Sequence, residues 1–112
     1  MRHVAEQQEP LSEPVFLILT SLAEEPRHGY ALIRDIEELS GGRVRLGTGT
    51  LYGALRRLLE ARWIERFDTG DTSRDKQSYR LTPAGRGRLA ADVERLKPLT
   101  RVAAARLRAS EG

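Results

Sequence analysis

Residues 47–60 have the sequence GTGTLYGALRRLLE, which combines an apolar helical face with a nearly bare polar one. Leu51, Leu55 and Leu58 recur at the spacing of one face of an α-helix. At about 100° per residue, the opposite face carries two glycines, two arginines and a glutamate, namely Gly49, Gly53, Arg56, Arg57 and Glu60. Exposed backbone amides and the helix dipole in the first turns both favour phosphate. Taken alone, the pattern is equally typical of a solvated amphipathic helix.

The composition of the 112-residue chain limits its classes of function. The length suits one domain with a modest core. With no cysteine and only two histidines, the sequence favours neither a metal site nor a catalytic set built on these residues. We therefore expect no enzymatic activity and no cofactor. The first residues lack the apolar stretch of a signal peptide, and no run of 18 apolar residues occurs, which predicts a cytoplasmic protein.

The charges are distributed unevenly along the chain. Residues 1–40 hold three arginines against eight acidic residues, whereas residues 41–112 hold sixteen arginines and lysines against eight acidic residues. A basic part of this kind suits an acidic partner. Most of these cations are arginines, whose forked guanidinium group suits contacts with phosphate and guanine.

Two helices are predicted before residues 47–60. The first begins near Ser12 and is apolar almost all round, so we expect it at the centre of the core. The second runs from about His28, which is expected to form a hydrogen bond at the helix start, to Ser40. Gly29 indicates close packing against a neighbour, and Tyr30 is expected in the core or at its edge. The buried face of this helix should carry Leu32, Ile36 and Leu39.

After residues 47–60, for which Thr48 is the expected N-cap, the sequence predicts a β-hairpin. Residues 63–67 and 77–82 alternate as strands do, and the polar loop 68–76 joins them. Trp63 before the first strand is interpreted as a core residue rather than as a platform for a ligand.

The last segment begins with an expected N-cap at Thr82 and Pro83 at the first helical position. A seam of residues at spacings of three and four needs a partner helix that nothing further along the chain supplies. Pro98 predicts a kink, or two helices separated near Lys97. We expect residues 83–112 to form a homodimer through this helix, packed on residues 1–82 as one compact unit. The predicted dimerisation residues are Leu89, Val93, Leu96, Thr100, Ala103 and Leu107.

Three helices followed by a hairpin indicate a winged helix-turn-helix, a mainly α fold with a small β-hairpin. In such folds the second helix of the motif enters the major groove of double-stranded DNA. That assignment makes residues 48–61 the recognition helix and the loop 68–76 the wing. Tyr52 has two open interpretations, a contact with the DNA backbone and packing at the core boundary. The predicted DNA-binding residues are Arg43, Arg45, Thr48, Gly49, Thr50, Tyr52, Gly53, Arg56, Arg57, Arg74 and Lys76.

The chain also resembles the PadR-like transcriptional regulators. The matching segments are HGYAL at residues 28–32, GTLY at residues 49–52 with the leucines that follow, and YRLTPAG at residues 79–85. The resemblance implies a homodimeric repressor of the short subfamily, with a single C-terminal helix that forms the dimer together with the partner's first helix. It further implies a pseudo-palindromic operator and release by a phenolic or drug-like effector. The alternative function is a winged-helix module that binds another protein and has no specific DNA site.

Two departures from the family pattern modify these expectations. Gly53 stands where the family commonly has Pro after Leu-Tyr, which predicts a looser middle of the recognition helix. Some short members bind flat aromatic drugs between tryptophans of the dimer helices, but this chain has no aromatic residue after Tyr79. A small organic effector is therefore expected in an aliphatic site between the subunits, where carboxylates or phenolates should bind better than planar cations.

Overall fold

The computed structural model describes residues 9–67 and 77–111, which form a mainly helical fold with one small antiparallel sheet. The predicted fold class is therefore confirmed, although the sheet has one strand more than the predicted hairpin. The elements follow in the order α1 (Glu13–Glu24), β1 (Arg27–His28), α2 (Gly29–Leu39), α3 (Thr48–Glu60), β2 (Ile64–Phe67), β3 (Ser78–Leu81) and α4 (Pro83–Glu111).

Side chains cap the starts of three helices, at the predicted His28 and Thr82 and also at Ser12, near which the first helix was predicted to begin. The Ser12 hydroxyl accepts a hydrogen bond from the Val15 amide at 3.4 Å, and His28 Nδ1 accepts one from the Ala31 amide at 3.3 Å. At the start of α4, the Thr82 hydroxyl accepts a bond from the Gly85 amide at 3.0 Å. These bonds satisfy amides that have no partner inside their own helix.

The expected N-cap at Thr48 is wrong. Gly47 is the N-cap of α3, with an extended backbone (φ −76°, ψ 162°), and no side chain accepts a bond from the first turn. The helix begins one residue earlier than predicted because Thr48 already has helical geometry. The first amides of α3 thus have no side-chain acceptor at the cap position.

The core is built from one face of each helix and from the sheet. Leucine and isoleucine side chains of α1 lie at its centre, as predicted. Trp63 packs against the core from its edge, which confirms its interpretation as a core residue. The fully or nearly fully buried apolar residues are Ile18, Leu19, Leu22, Leu32, Ile36, Leu51, Ala54, Leu55, Leu58, Ile64, Tyr79 and Leu81.

The sheet has the strand order β1-β3-β2, and both pairings are antiparallel. Ile64 faces Leu81 in the β2–β3 pair, and Arg27 faces Tyr79 in the β1–β3 pair. The sequence analysis missed β1 because a strand of two residues is too short to show alternation. Its pairing with β3 connects the start of α2 to the base of the hairpin.

Two residues of α2 are more exposed than predicted. Tyr30 has a relative exposure of 69%, so its placement in or beside the core is wrong. At about 100° per residue, Tyr30 lies opposite the face that carries Leu32 and Ile36. Leu39 is on the correct face but is 49% exposed, because it is the last helical residue and extends past the packed region.

Helix α4 continues through Pro98 without a break, so the alternative of two helices separated near Lys97 is wrong. Proline removes one helical hydrogen bond and crowds the carbonyl group four residues earlier. Here that carbonyl group belongs to Glu94, and both Glu94 and Pro98 are exposed to water. None of the helices in the described ranges is long and apolar enough to cross a membrane.

Candidate nucleic-acid interface

Helix α3 is fixed to the domain by its apolar face. Leu51, Ala54, Leu55 and Leu58 are all at most 5% exposed. The buried residues are those that the helical spacing in the sequence placed on one face. Their packing fixes the rotation of α3 about its own axis. The opposite face of α3 is consequently presented to solvent in a defined orientation.

The exposed face of α3 has little side-chain cover in its first turns. Thr48, Gly49 and Thr50 are exposed, and a Cβ atom added at Gly49 would meet no described atom within 4 Å. At Gly53 the nearest atom to an added Cβ is Arg57 Nη1, at 4.0 Å. Glycine in a helix costs about 0.5–1 kcal/mol relative to alanine, and packing within the chain does not require it at either position. Open glycines of this kind let another molecule approach the helix backbone closely.

The predicted DNA-binding arginines fall into two groups. Arg43 forms a bidentate ion pair with Glu13, and Arg45 Nε lies 3.1 Å from Glu37 Oε2. The hydrogen bond between Arg43 and Glu13 lowers the pKa of Glu13 and raises the pKa of Arg43. A DNA phosphate would have to compete with these carboxylates, although such exposed pairs are weak.

Arg56 and Arg57 form the second group. Both are exposed on α3, and neither forms an ion pair with a carboxylate in residues 9–67 or 77–111. Among the described residues, no carboxylate would have to be displaced for these guanidinium groups to bind an external anion. Arg74 and Lys76, the predicted wing residues, lie outside the described residues.

Tyr52 connects α3 to the first turn of α2. A Cβ atom added at Gly29 would lie 2.8 Å from Tyr52 Cζ and 3.5 Å from Leu51 Cδ2. Only glycine leaves room for the phenol ring at this point, which confirms the predicted close packing of Gly29. The remainder of Tyr52 is exposed (42%), so this residue packs at the boundary and also presents surface. Its contact with the DNA backbone stays a prediction.

Hydrogen bonds and close packing connect the residues that follow α3 to the start of α4. The Trp63 amide donates to the Leu58 carbonyl group at 3.1 Å, and Arg62 adopts a left-handed conformation with φ 65°. The Thr82 hydroxyl donates to the Arg62 carbonyl group at 2.7 Å. A Cβ atom added at Gly85 would lie 2.8 Å from the Trp63 carbonyl carbon. The segment YRLTPAG at residues 79–85 therefore holds the start of α4 against the residues that follow α3.

At the base of the wing, β2 and β3 present paired charges. Arg80 Nε lies 2.8 Å from Glu65 Oε2, and its guanidinium carbon is 4.7 Å from the centre of the Phe67 ring. Arg66 on β2 is exposed. The sequence analysis missed Tyr30 and Arg66 as surface candidates. The helical spacing of Tyr30 and the strand alternation of Arg66 were the available signals.

The predicted dimerisation residues divide into two sets. Leu89, Val93 and Leu96 are half-buried, and Leu89 packs against the core of its own chain. The other three, Thr100, Ala103 and Leu107, are exposed. Two further exposed apolar residues of α4 were missed, Leu99 (54% exposed) and Val102 (50% exposed).

Three helices, the third of which has a bare exposed face, and the antiparallel strands that follow define the class of this protein as a winged helix-turn-helix. Residues 18–91, about two thirds of the chain, match the family model described as Transcriptional regulator PadR-like family. The chain belongs to this PadR-like family of transcriptional regulators.

One curated protein and several solved structures are similar to this chain. An uncharacterized 37.1 kDa protein in transposon TN4556 of Streptomyces fradiae is 39% identical over 84 residues, which cover 75% of this chain and 23% of that protein. The chain thus spans about a quarter of that relative's length. A PadR family transcription regulator from Clostridium difficile R20291 has the same fold, with a TM-score of 0.71, 23% identity, and coverage of 86% of this chain and 99% of that chain.

Bacillus subtilis PadR in complex with operator DNA also shares the fold. Its TM-score is 0.63 at 23% identity, with coverage of 74% of this chain and 46% of that chain. At this level of identity the likeness concerns the fold.

Proposed function

We propose that this protein is a repressor that binds a pseudo-palindromic operator in double-stranded DNA as a homodimer. The observation that carries the proposal is the exposed face of α3, where Gly49 and Gly53 leave the backbone open and Arg56 and Arg57 have no carboxylate partner among the described residues. In a winged helix-turn-helix, this face enters the major groove. Bacillus subtilis PadR, which shares this fold, is solved in complex with operator DNA, which supports DNA as the partner.

We propose different roles for the predicted DNA-binding residues. Thr48, Gly49, Thr50 and Gly53 let the backbone of α3 approach the groove, and Arg56 reads a base edge. Tyr52, Arg57, Arg43, Arg45, Arg74 and Lys76 are assigned to phosphate or sugar. Arg43 and Arg45 contribute least because each already has a carboxylate partner.

Dimerisation is proposed through the second half of α4. Leu99, Val102 and Leu107 are at least half exposed in the single chain, and the three predicted residues in that half lie on the same broad face. Covering a Leu or Val side chain contributes about 1.5–3 kcal/mol. A second copy of the helix, together with the first helix of that copy, supplies such a cover and places two recognition helices on one operator.

The test is a titration of operator DNA, selected from genomic fragments, at several salt concentrations. Neutralised phosphates release counterions, so log K should fall linearly with log salt, with a slope of about −0.9 per phosphate contact. A flat slope would contradict DNA binding and favour the protein-interaction module. In vitro transcription from the selected fragment then tests repression, because transcript levels should fall as the protein is added.

Release by a small organic effector completes the proposal. The support is the family assignment together with the surface of α4 between the proposed subunits, which is aliphatic and rich in arginine. Small carboxylates or phenolates should release the operator better than planar cations. A planar cation that released the operator at lower concentration than any carboxylate would contradict this part of the proposal.

A further inference from the structure

The turn between α2 and α3 holds Arg43 and Arg45 on a well-ordered backbone. The Ser40 hydroxyl donates to a carbonyl group in the last turn of α2 at 3.1 Å and accepts a bond from the Val44 amide at 2.9 Å. Val44 and Leu46 pack against the core, whereas the two arginines that alternate with them are exposed. Both guanidinium groups therefore lie on the surface at the residues that lead into α3.

Each of these arginines is paired with a carboxylate from a different helix. Glu13, the first residue of α1, accepts bonds from both Nη atoms of Arg43, one of them at 3.1 Å. Glu37 of α2 has its Oε2 atom 3.1 Å from Arg45 Nε. Two positive and two negative charges thus lie at this turn, and their sum is zero.

The arginines of α3 differ from those of the turn. Arg56 and Arg57 form no ion pair with a carboxylate in the described parts of the chain. A phosphate that binds Arg43 or Arg45 must instead replace a carboxylate that already occupies the guanidinium group. Carboxylate and phosphate use the same paired hydrogen bonds to arginine, so the two anions compete directly.

We propose that Glu13 and Glu37 limit the affinity of this protein for DNA by competing with phosphate for Arg43 and Arg45. The inference rests on the proposed function and concerns what sets the strength of DNA binding. The side chains of the two arginines are 64% and 75% exposed, so a phosphate can reach them. Exposed ion pairs are weak, and the competition therefore reduces affinity without preventing binding.

The competition acts on contacts that carry no sequence information. Phosphate contacts position a protein on DNA, and base contacts provide the specificity. Glu13 and Glu37 should therefore weaken binding to operator and to scrambled DNA by the same factor. A larger share of the remaining affinity then comes from the arginines of α3.

The salt dependence of binding provides a second, independent signature. When phosphate displaces Glu13 from Arg43, the freed carboxylate attracts a cation, which offsets the counterion that the DNA releases. Without the carboxylate this offset is lost. The slope of log K against log salt should then become steeper by up to about 0.9 for each phosphate contact concerned.

The test is the DNA affinity of the variants Glu13→Gln and Glu37→Gln. A homodimer contains two copies of each pair, so operator affinity should rise about twofold to thirtyfold in either variant, given the strength of exposed ion pairs. Affinity for scrambled DNA should rise by the same factor, and the salt slope should steepen. Circular dichroism verifies that each variant is folded. Unchanged affinity in both variants would overturn the proposal.

Glu38→Gln is the matched control for Glu37→Gln. Glu38 is the next residue of the same helix, is exposed, and forms no ion pair with an arginine or lysine in residues 9–67 or 77–111. Its replacement changes the net charge by the same amount. An equal rise in affinity in the two variants would refute the proposal, because it would show a general effect of net charge.

A double-mutant cycle tests whether Glu13 acts through Arg43. In a protein that carries Arg43→Gln, the further change Glu13→Gln should leave DNA affinity unchanged, because the competition has no object. A rise as large as in the unmodified protein would contradict the proposed competition. A fall in affinity on Glu13→Gln alone would also contradict it, since the carboxylate would then hold Arg43 in position for DNA.

Elution from immobilised heparin separates this inference from the proposed function. Heparin is a polyanion without base edges, so Glu13→Gln and Glu37→Gln should elute at higher salt than the unmodified protein, and Glu38→Gln should elute with it. If the protein binds no DNA, the proposed function fails, and the elution still decides whether the two carboxylates restrain the arginines. Identical elution of all four proteins would refute that restraint.

Discussion

Helices α3 and α4 are both amphipathic, but they leave opposite kinds of surface uncovered. In α3 the apolar face is buried in the chain's own core, and the exposed face consists of glycine, threonine, tyrosine and two arginines, with Glu60 at its end. In α4 the exposed second half includes Leu99, Val102 and Leu107, each at least half accessible. The core of the chain thus covers the apolar residues of α3, whereas these apolar residues of α4 remain exposed to solvent. The first surface suits a polyanion, and the second suits another apolar protein surface.

The two helices are not independent, because the end of α3 is bonded to the start of α4. Thr82 bridges Arg62 and Gly85, and Gly85 lies against the backbone of Trp63. We therefore expect that a change in how α4 pairs with a second copy would alter the orientation of α3. Substitutions on the two surfaces should nevertheless affect different properties, dimerisation for α4 and DNA binding for α3.

The double substitution Leu99→Glu/Val102→Glu should abolish dimerisation. Four side chains would be removed from a symmetric interface, each contributing about 1.5–3 kcal/mol, so the dimerisation constant should fall by more than about 10⁴-fold. Both residues are exposed in the single chain, so the fold should be retained. Light scattering measures dimerisation, and circular dichroism measures whether the fold is retained.

Arg101→Glu is the matched control, because it changes the net charge by the same amount on the opposite face of α4. It should remain a dimer. A dimeric Leu99→Glu/Val102→Glu variant would show that the exposed face of α4 is not the interface.

Arg56→Ala should reduce the preference for operator over scrambled DNA. A base-reading arginine contributes about 1–3 kcal/mol of discrimination, whereas a phosphate contact affects all sequences alike. Arg74→Ala on the predicted wing should lower both affinities together and flatten the salt dependence. Titration of each variant with both DNAs provides the measurement. The reverse pattern would mean that α3 docks by a different face.

Gly29→Ala should disturb the recognition helix with a modest loss of stability. The added methyl group displaces the Tyr52 ring, which is partly exposed and can rotate away, so we expect about 1 kcal/mol, the low end for overpacking. Operator affinity should fall because Tyr52 leaves the surface of α3. Urea unfolding and DNA titration test the two effects.

Gly85→Ala is the contrasting variant, since its methyl group would meet the backbone of Trp63, which cannot rotate away. Its loss of stability should be near 3 kcal/mol, the upper end for overpacking. Equal losses of stability for the two variants would contradict the assigned flexibility of Tyr52.

Gly49→Ala should stabilise the fold and weaken DNA binding. Alanine at an open helical position gains about 0.5–1 kcal/mol over glycine, and an added Cβ at this position meets no described atom within 4 Å. The methyl group would nevertheless hinder approach of the DNA backbone. Thermal unfolding and operator titration should move in opposite directions, and an unchanged operator affinity would place Gly49 outside the interface.

Most helix positions and three of the caps were predictable because they depend on residues within one or two turns. Ser12, His28 and Thr82 accept bonds from amides three residues later, a relationship that is visible in the sequence. The prediction of Thr48 as an N-cap was wrong, although it too depended only on neighbouring residues. Gly47 also satisfies the extended geometry of a cap, and the spacing of the apolar residues does not distinguish between adjacent starts.

The candidate interface was predictable only in part. The exposure of Gly49, Arg56 and Arg57 follows from helical periodicity alone. The pairing of Arg43 with Glu13 joins residues thirty positions apart, and no local pattern specifies it. Tyr30 was predicted in the core or at its edge, although its position opposite Leu32 on the helix indicates the exposure that the structure shows.

The sequence by itself determined the order of the helices, the face that each one buries and the cationic polar face of α3, because periodicity and capping act over a few residues. The tertiary structure alone decided the pairing of β1 with β3, the packing of Tyr52 on Gly29 and the position of Arg88 over the Trp63 ring. Each of these contacts joins segments that are distant along the chain or are turned toward each other only by the packing of the core. Their geometry follows from how several apolar faces pack at once, and no single segment encodes it.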